Sequence, residues 1–312
     1  MGFRNVINDG STTAPRLRLQ HSVWALQNLP RDGQEWSMTE RLDKILSAGF
    51  TGLETSCKTE PEADELAGML RNRGLAIGFF ARASDADDLL TPIDLAHRMR
   101  ADYLSVQVLG SLKASPEIAE ILEDMYDLVN DAGLPLFIET HRGTVTQDLR
   151  RTVKVIDRFK KVRFTGNFSH YAVAGELTGV WNEEVWEHFR PIAARCGTWH
   201  GAISFGEQPQ NDIGDGRGEI ALEYKKLWTM GMAAWLKKSQ PGDVLPFTCQ
   251  LGPSPYAIAD PSGRELSDRW EQSLIIKRLA EEAWADAELS LLPVELQPQP
   301  AEPQTAPTEV TI

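Results

Sequence analysis

Short apolar runs alternate with amphipathic stretches along the central part of the 312-residue chain. Eight of these runs have the length and composition of buried strands, from LRLQHSVW near the start to LPFTCQLG near the end. A helical pattern or a long connection follows each run, and several helical patterns end in glycine, as in SAG, NRG and NDAG. The pattern therefore predicts eight consecutive strand–helix units.

Eight such units with no linker between them predict one closed (β/α)8 TIM barrel, an α/β fold, over residues 17–288. An open doubly wound sheet is the competing prediction, but HSVWALQNLP lacks the GxGxxG motif that such a sheet has after its first strand. Residues 1–16 are polar and rich in turn formers, which predicts a flexible N-terminal segment. Residues 289–312 are rich in Pro, Gln and Glu, which predicts a disordered tail.

Composition narrows the range of partners. A net charge of −13 and a pI near 5.0 argue against binding to nucleic acid or to an anionic membrane surface, because both need clustered Lys and Arg. Cys57, Cys196 and Cys249 are too widely spaced for a zinc knuckle or a disulfide framework. No apolar stretch resembles a signal peptide or a membrane span. These features predict a cytoplasmic protein.

The last four predicted strands all end in side chains with oxygen or imidazole donors. These side chains are Glu139, His141, Asn167, His170, His200 and Gln250. Active sites of (β/α)8 barrels lie at the C-terminal ends of the strands. Since side chains two residues apart share a face, Glu139 and His141 are both predicted to point toward the barrel mouth, with Thr140 pointing away. A local ion pair would explain one Glu-x-His pair, but four polar strand ends in succession favour a functional site.

These strand ends resemble those of the xylose isomerase-like barrels, a superfamily of sugar isomerases, ketose epimerases, inosose dehydratase and the endonuclease IV branch. Glu139 matches the metal-binding Glu that ends the fifth strand, and His200 in TWHGAIS matches a His on the seventh. NFSHY keeps the His of an Asp-x-x-His motif at His170 but has Asn167 where Asp is usual. TCQLGPSPY has Gln250 where Glu is usual. The resemblance thus implies a metal set of Glu139, Asn167, His200 and Gln250.

The resemblance covers residues 17–284 and implies the barrel fold together with chemistry on carbohydrates. GRELSDRWEQSLIIKRLAEEAW resembles the closing helix of bacterial sugar phosphate isomerases and epimerases. The Glu-x-His pair also resembles the large subunits of C-glycoside deglycosidases and related keto-sugar lyases. The implied function is therefore a sugar isomerase, epimerase or keto-sugar lyase that binds a small carbohydrate or keto-sugar.

The implied cofactor is a divalent cation, namely Mn2+, Mg2+, Co2+ or Zn2+. Glu139 is the sole formal anion among the four implied ligands, since Asn167 and Gln250 are amides. Neutral amide oxygens attract a dication less than carboxylates do. We therefore expect weak or absent metal binding, which fits either a specialised metal-poor site or an inactivated one.

His141 is the predicted general base, because the ordinary pKa of imidazole suits proton transfer at neutral pH. Glu139 would hold the metal or orient a polar group. His170 is a candidate ligand or second acid–base group, with a loop histidine as the alternative. Arg142 could bind an anionic group of the substrate through its guanidinium fork, or it could be a solvated loop cation.

Four further residues are predicted to bind substrate at the mouth. Gln107 and His21 lie near the ends of predicted strands, and either could bind sugar hydroxyls. Trp24 could stack on a sugar ring or serve in packing. The long, turn-rich loop over residues 204–216 suits a lid that carries Gln210 to the site.

The rival interpretation is a catalytically inactive barrel that serves as a binding module or as the scaffold subunit of a complex. The two amides would then mark lost chemistry. The DNA-repair branch is disfavoured by the acidic charge balance and the incomplete metal set. A homo-oligomer or a small partner subunit is an open expectation.

Overall fold

Eight parallel strands close into a barrel with helices around it, which confirms the predicted fold class. The computed structural model describes residues 4–293. Hydrogen bonds join neighbouring strands in sequence order, and the last strand pairs with the first barrel strand to close the ring. In chain order the strands are β1 (Ile7–Asn8), which lies outside the barrel, and then β2 (Arg16–Ser22), β3 (Gly52–Thr55), β4 (Ala76–Ala83), β5 (Tyr103–Val108), β6 (Leu136–Glu139), β7 (Phe164–Gly166), β8 (Cys196–Gly201) and β9 (Asp243–Cys249).

The helices begin where the sequence places capping residues. Ser37 starts the first helix with a reciprocal capping box to Glu40. The Asp268 side chain accepts the first backbone N–H groups of the last helix. The helices are α1 (Met38–Ser47), α2 (Glu60–Arg71), α3 (Leu90–Met99), α4 (Ser115–Ala132), α5 (Leu149–Arg158), α6 (Ser169–Ala174), α7 (Glu183–Ala193), α8 (Glu219–Leu236) and α9 (Arg269–Ser290).

The barrel interior is packed with large side chains below the site. At Gly197, an added Cβ would lie 2.1 Å from the ring of Phe137, so only glycine allows this approach. Tyr103 is fully buried, and its hydroxyl donates to Gln20 at 2.9 Å and lies 3.3 Å from a carboxylate oxygen of Glu54. Polar side chains therefore lie directly above buried aromatic side chains inside the barrel.

Part of the N-terminal segment, which the sequence predicts to be flexible, contacts the barrel in the described residues. Ile7 and Asn8 of β1 pair antiparallel with the start of β9. Arg4 forms an ion pair with Asp243 at 2.9 Å, and the side chain of Asn5 exchanges two hydrogen bonds of 2.8 Å with the backbone of Leu136. These contacts lie at the starts of β6 and β9, so the segment covers the N-terminal end of the barrel, opposite the mouth.

At the other end of the chain, α9 runs to Ser290 and extends slightly beyond the predicted barrel limit. Residues 294–312, which make up most of the predicted tail, lie outside the described residues, as do residues 1–3. Within residues 4–293, every helix is too short or too polar to span a lipid bilayer.

Candidate active site

A cavity of ≈ 590 Å³ opens at the C-terminal ends of the barrel strands. This is the position at which (β/α)8 barrels carry their active sites. Its polar wall includes Glu54, Gln107, His141, Asn167, His170 and Gln250. Five of these six side chains belong to the set predicted from the sequence, and the structure brings these five together around one cavity.

Below the cavity, His200 lies between two buried carboxylates. Its Nδ1 is 2.9 Å from Oε1 of Glu139, and its Nε2 is 2.9 Å from Oε1 of Glu54. Burial alone would lower the pKa of His200, but the two carboxylates outweigh burial and raise that pKa to about 10. His200 is therefore an imidazolium at neutral pH. In turn, its charge and hydrogen bond overcome the burial of Glu139 and hold the pKa of that carboxyl well below its usual range.

Amide side chains complete the surroundings of Glu139. Gln107 donates to Oε2 of Glu139 at 2.8 Å, and Asn167 donates to Oε1 at 3.1 Å. The same Asn167 nitrogen lies 3.3 Å from Oε1 of Gln250, and Oδ1 of Asn167 accepts from Ser169 at 2.8 Å. Both oxygens of Glu139 are thus occupied, and the amides of Asn167 and Gln250 bond to neighbouring side chains.

Two threonines hold the backbone of His141 just beyond the end of β6. Thr146 accepts the backbone N–H of His141 at 3.1 Å and donates to the carbonyl of Glu139 at 2.7 Å. Thr144 donates to the carbonyl of His141 at 2.6 Å. Thr140 points aside, as predicted, and its hydroxyl accepts the backbone N–H of Asn167 at 2.7 Å. The loop therefore presents His141 in a fixed position above Glu139.

The hydrogen bonds of His141 assign its tautomer. Nδ1 contacts the backbone carbonyl of Arg142, which can only accept, so Nδ1 carries the proton. Nε2 then carries the lone pair, which accepts a hydrogen bond from the hydroxyl of Tyr256 at 3.3 Å. Burial lowers the pKa of His141 despite the opposing charge of Glu139, so the ring is neutral at neutral pH. A neutral imidazole with its lone pair in the cavity can accept a proton.

His170 packs directly against His141, with the ring centroids 3.7 Å apart. Its Nδ1 is buried without a hydrogen-bond partner among residues 4–293. Burial and the neighbouring His141 lower the pKa of His170 well below its ordinary value. An unpartnered buried nitrogen is energetically unfavourable. A ligand that forms a hydrogen bond with Nδ1 of His170 would remove this cost.

Three of the predicted substrate-binding residues line the cavity, and a fourth, Arg142, lies beside its mouth. Trp24 lines the cavity with 37% of its surface exposed, and Gln107 lines it while bonded to Glu139. Gln210 also lines the cavity, but its amide exchanges two hydrogen bonds of 2.8 Å with the backbone of Gly252, so it joins two loops instead of offering a free amide. Arg142 is exposed beside the mouth, 5.5 Å from the ring centre of Tyr256.

His21 is a correction to the predicted set. Its Nε2 bonds to Ser273 of α9 at 3.1 Å, and its ring packs against Phe50 and Trp270. The imidazole therefore lies on the outer face of β2, under a helix, and is not part of the cavity wall. The neighbouring Gln20, one residue earlier in the strand, points inward toward Tyr103.

Three residues of the site were missed by the sequence analysis. Glu54 is the second-to-last residue of β3 in the stretch FTGLET, and this polar strand end was a usable signal. Arg82 lies near the end of β4 and lines the cavity. Tyr256 follows β9 in the stretch GPSPY. With Glu54 included, the site contains two buried carboxylates, whereas the sequence analysis counted only Glu139 as an anion.

The implied four-residue metal set does not fit a cation in this arrangement. Both nitrogens of His200 donate to carboxylates, and an imidazolium has no lone pair for a metal. A different set is better placed, because Glu139, His141 and His170 each offer one donor atom within 4.8 Å of the others. Two imidazoles and one carboxylate suit Zn2+ or a similar transition metal.

The chain has the fold of the xylose isomerase-like TIM barrels. One such protein from Mycobacterium smegmatis, in complex with magnesium, matches with a TM-score of 0.54 and 13% identity over 88% of this chain and 98% of that chain. D-allulose 3-epimerase from Methylomonas sp. matches with a TM-score of 0.53 and 13% identity over 92% of this chain and 100% of that chain.

The probable 3-DHS dehydratase of Bacillus anthracis involved in petrobactin synthesis matches with a TM-score of 0.53 and 12% identity over 84% of this chain and 98% of that chain. No family model matches the sequence, and no curated protein matches it. At these identities the similarity establishes the fold, and enzymes, sugar epimerases among them, are prominent among the proteins that share it.

The buried histidines predict a maximum of stability near pH 6.5. His200, with a folded pKa of about 10, contributes stability that is complete below 6.5 and is lost as the pH rises toward 10. Burial lowers the pKa of His21 to about 4, so its contribution is lost as the pH falls from 6.5 toward 4. The alkaline limb has a slope of up to about 1.4 kcal/mol per pH unit in the free energy of unfolding, and the acid limb is steeper because the lowered pKa values of His141 and His170 add to that of His21.

Urea unfolding between pH 5 and pH 9, followed by tryptophan fluorescence, measures both limbs. Glu54→Gln removes one of the two carboxylates that raise the pKa of His200, so the alkaline loss in this variant should end at a lower pH and be smaller. A free energy of unfolding that stays constant from pH 6.5 to pH 9 would contradict the imidazolium assignment.

Proposed function

We propose that the chain is a sugar-directed isomerase or epimerase, or a related keto-sugar lyase, in which His141 removes a proton from the carbon next to a carbonyl. The observation that carries this proposal is the lone pair of His141 Nε2, which faces the cavity beside the hydroxyl of Tyr256 and above the buried pair of Glu139 and His200. The cavity is large enough for a small sugar-like molecule. The ketose epimerases among the proteins of this fold support the same class of substrate.

Each part of the site has a role in this proposal. His141 accepts the proton, and the hydroxyl of Tyr256 near its Nε2 helps to orient the substrate oxygen. The amide nitrogen of Gln250 and the unpartnered His170 provide hydrogen bonds for the enediolate oxygens, and Asn167 holds the Gln250 side chain in place by donating to its oxygen. Trp24 at the mouth provides an apolar surface for the sugar ring.

Solvent exchange tests this function whichever product the reaction forms. The protein is incubated in D2O with a panel of ketoses and 3-keto sugars, and deuterium at the carbon next to the carbonyl is followed by proton NMR. An isomerase, an epimerase and a lyase all remove this proton, so all three would exchange it. The product then distinguishes the three reactions. No exchange with any sugar that binds would contradict the proposal.

An inactive barrel that binds a sugar or a partner chain remains the second candidate. It is favoured by the mutual hydrogen bonding of Asn167 and Gln250, which occupy positions where acidic ligands are usual in the resembling family. A saturable sugar binding without deuterium exchange would support this candidate. Its site would then use the same cavity for recognition alone.

Metal binding to the native chain is expected to be weak at the four implied positions. The double substitution Asn167→Asp with Gln250→Glu restores two carboxylates, and we expect it to raise Mn2+ affinity at least about tenfold. Isothermal titration and elemental analysis of both proteins measure the difference. A native chain that already holds one ion per molecule tightly would contradict this expectation and make the amides working ligands.

His170→Ala is the matched control for the alternative metal set. If the native chain binds Zn2+ or Mn2+ and loses it in His170→Ala but not in Gln250→Ala, the ion lies on Glu139, His141 and His170. Such an ion would occupy the lone pair of His141 that proton abstraction needs. Added metal would therefore inhibit exchange in that case.

A further inference from the structure

The cavity wall contains a guanidinium group that lacks a carboxylate partner. Arg82, on β4, lines the cavity, and its Nε donates to Oε1 of Gln107 at 3.0 Å. Gln107 donates in turn to Oε2 of Glu139 at 2.8 Å, so one edge of the guanidinium is fixed relative to the proposed catalytic centre. Within residues 4–293, the terminal nitrogens of Arg82 form neither an ion pair nor a hydrogen bond.

A second cationic side chain, that of Arg142, lies beside the proposed base His141. Arg142 follows His141 directly and contacts the ring of Tyr256, whose hydroxyl is 3.3 Å from His141 Nε2. In the described part of the chain, Arg142 has no carboxylate partner. Burial is the main cause of the lowered pKa of His141, and the positive charges of Arg142 and Arg82 lower it further.

The other charged side chains of the cavity wall are either paired with an opposite charge or negative. Arg41 also lines the cavity, but it forms an ion pair with Glu35. On the α2 side the wall carries Glu62 and Glu65, which would repel an anion. Near His141 the two guanidinium groups therefore lack a carboxylate partner, whereas Glu54 and Glu139 are paired with His200, and the α2 side carries two carboxylates.

We propose that the substrate carries an oxyanion, a carboxylate or a phosphate, which Arg82 and Arg142 bind next to His141. This inference rests on the proposed function and names its substrate class as acidic sugars. Guanidinium groups bind oxyanions through paired, charge-assisted hydrogen bonds, and the free terminal nitrogens of Arg82 are available for this geometry. The anion then fixes the orientation of the sugar, with its neutral hydroxyl end toward α2.

Binding of matched sugars tests the inference without turnover. D-glucose, D-glucuronate and D-glucose 6-phosphate are titrated into the full-length protein by isothermal calorimetry at low and high salt. We expect at least one anionic sugar to bind about tenfold or more tightly than glucose at low salt, and less so at high salt. The anion that gains affinity identifies the source, because glucuronate reports a carboxylate site and glucose 6-phosphate a phosphate site.

Three variants assign the preference to the two arginines. Arg82→Gln and Arg142→Gln should each remove most of the preference, and Arg82→Lys should retain part of it because the charge remains without the fork. Arg150→Gln, an exposed arginine of α5 outside the cavity wall, is the matched control and should leave the preference unchanged. Equal affinity for all three sugars, or a preference that survives in the Arg82→Gln, Arg142→Gln double variant, would overturn the inference.

The outcomes separate this inference from the proposed function. Anion preference without deuterium exchange on any sugar would retain the oxyanion site and contradict the enzyme. Exchange on neutral sugars without anion preference would retain the enzyme and overturn the oxyanion site.

Discussion

Replacement of His141 by alanine is expected to lower the rate of deuterium exchange by about 10²- to 10⁴-fold, the usual contribution of a general base. The loss should appear in kcat more than in KM, because His141 acts on the reacting proton while other side chains hold the sugar. The measurement is the exchange rate in D2O for the sugar on which the native chain is most active. Added imidazole should restore part of the rate in His141→Ala by entering the vacated space.

Two controls show whether a slower exchange in His141→Ala is due to the missing imidazole or to a loss of folded protein. His97→Ala alters an exposed histidine of α3 and should keep the native rate. Circular dichroism and the urea midpoint show whether His141→Ala remains folded. An exchange rate within about threefold of the native rate in folded His141→Ala would remove His141 from the role of base, and His170 would be the next candidate.

The second large effect is expected at the buried pair of carboxylates. His200→Leu removes the imidazolium between Glu54 and Glu139 and leaves two buried negative charges without their partner. Loss of one member of a buried ion pair typically costs about 3–5 kcal/mol in the free energy of unfolding. Urea unfolding at pH 7 measures the loss, with His188→Ala on α7 as a control that should change little.

A change of sign makes this prediction specific. Glu54→Gln should destabilise the native chain, because it removes a partner of the imidazolium. The same substitution should stabilise His200→Leu, because it removes an uncompensated buried charge. Glu54→Gln effects of the same sign in both backgrounds would show that Glu54 and His200 are not coupled by charge.

Much of the fold followed from the chain pattern because parallel barrel strands are buried on both faces and appear as nearly continuous apolar runs. For example, PLFIET, VRFTGNF and GTWHGAIS contain most or all of β6, β7 and β8. The polar residues at their ends stood out against these runs. The convergence of Glu139, Asn167 and Gln250 could therefore be predicted from sequence position and barrel geometry.

The parts that were not predicted depend on contacts between distant residues. Glu54 is buried because it meets His200, which is 146 positions later in the chain, and no local pattern indicates this pairing. His21 and Gln20 alternate in a strand, but the inward face is decided by the packing of α9 over His21. Likewise, the bond between Gln210 and Gly252 joins two loops whose approach follows from closure of the barrel.

The central claim concerns the charge and tautomer of two histidines, and nitrogen-15 NMR of the imidazole rings at different pH values tests it most directly. At pH 7 we predict that His200 shows the signals of an imidazolium, which persist to about pH 10, and that His141 shows a neutral ring with its proton on Nδ1 and the lone pair on Nε2. A His200 that titrates near 6.5, or a His141 that is charged at pH 7, would contradict the account.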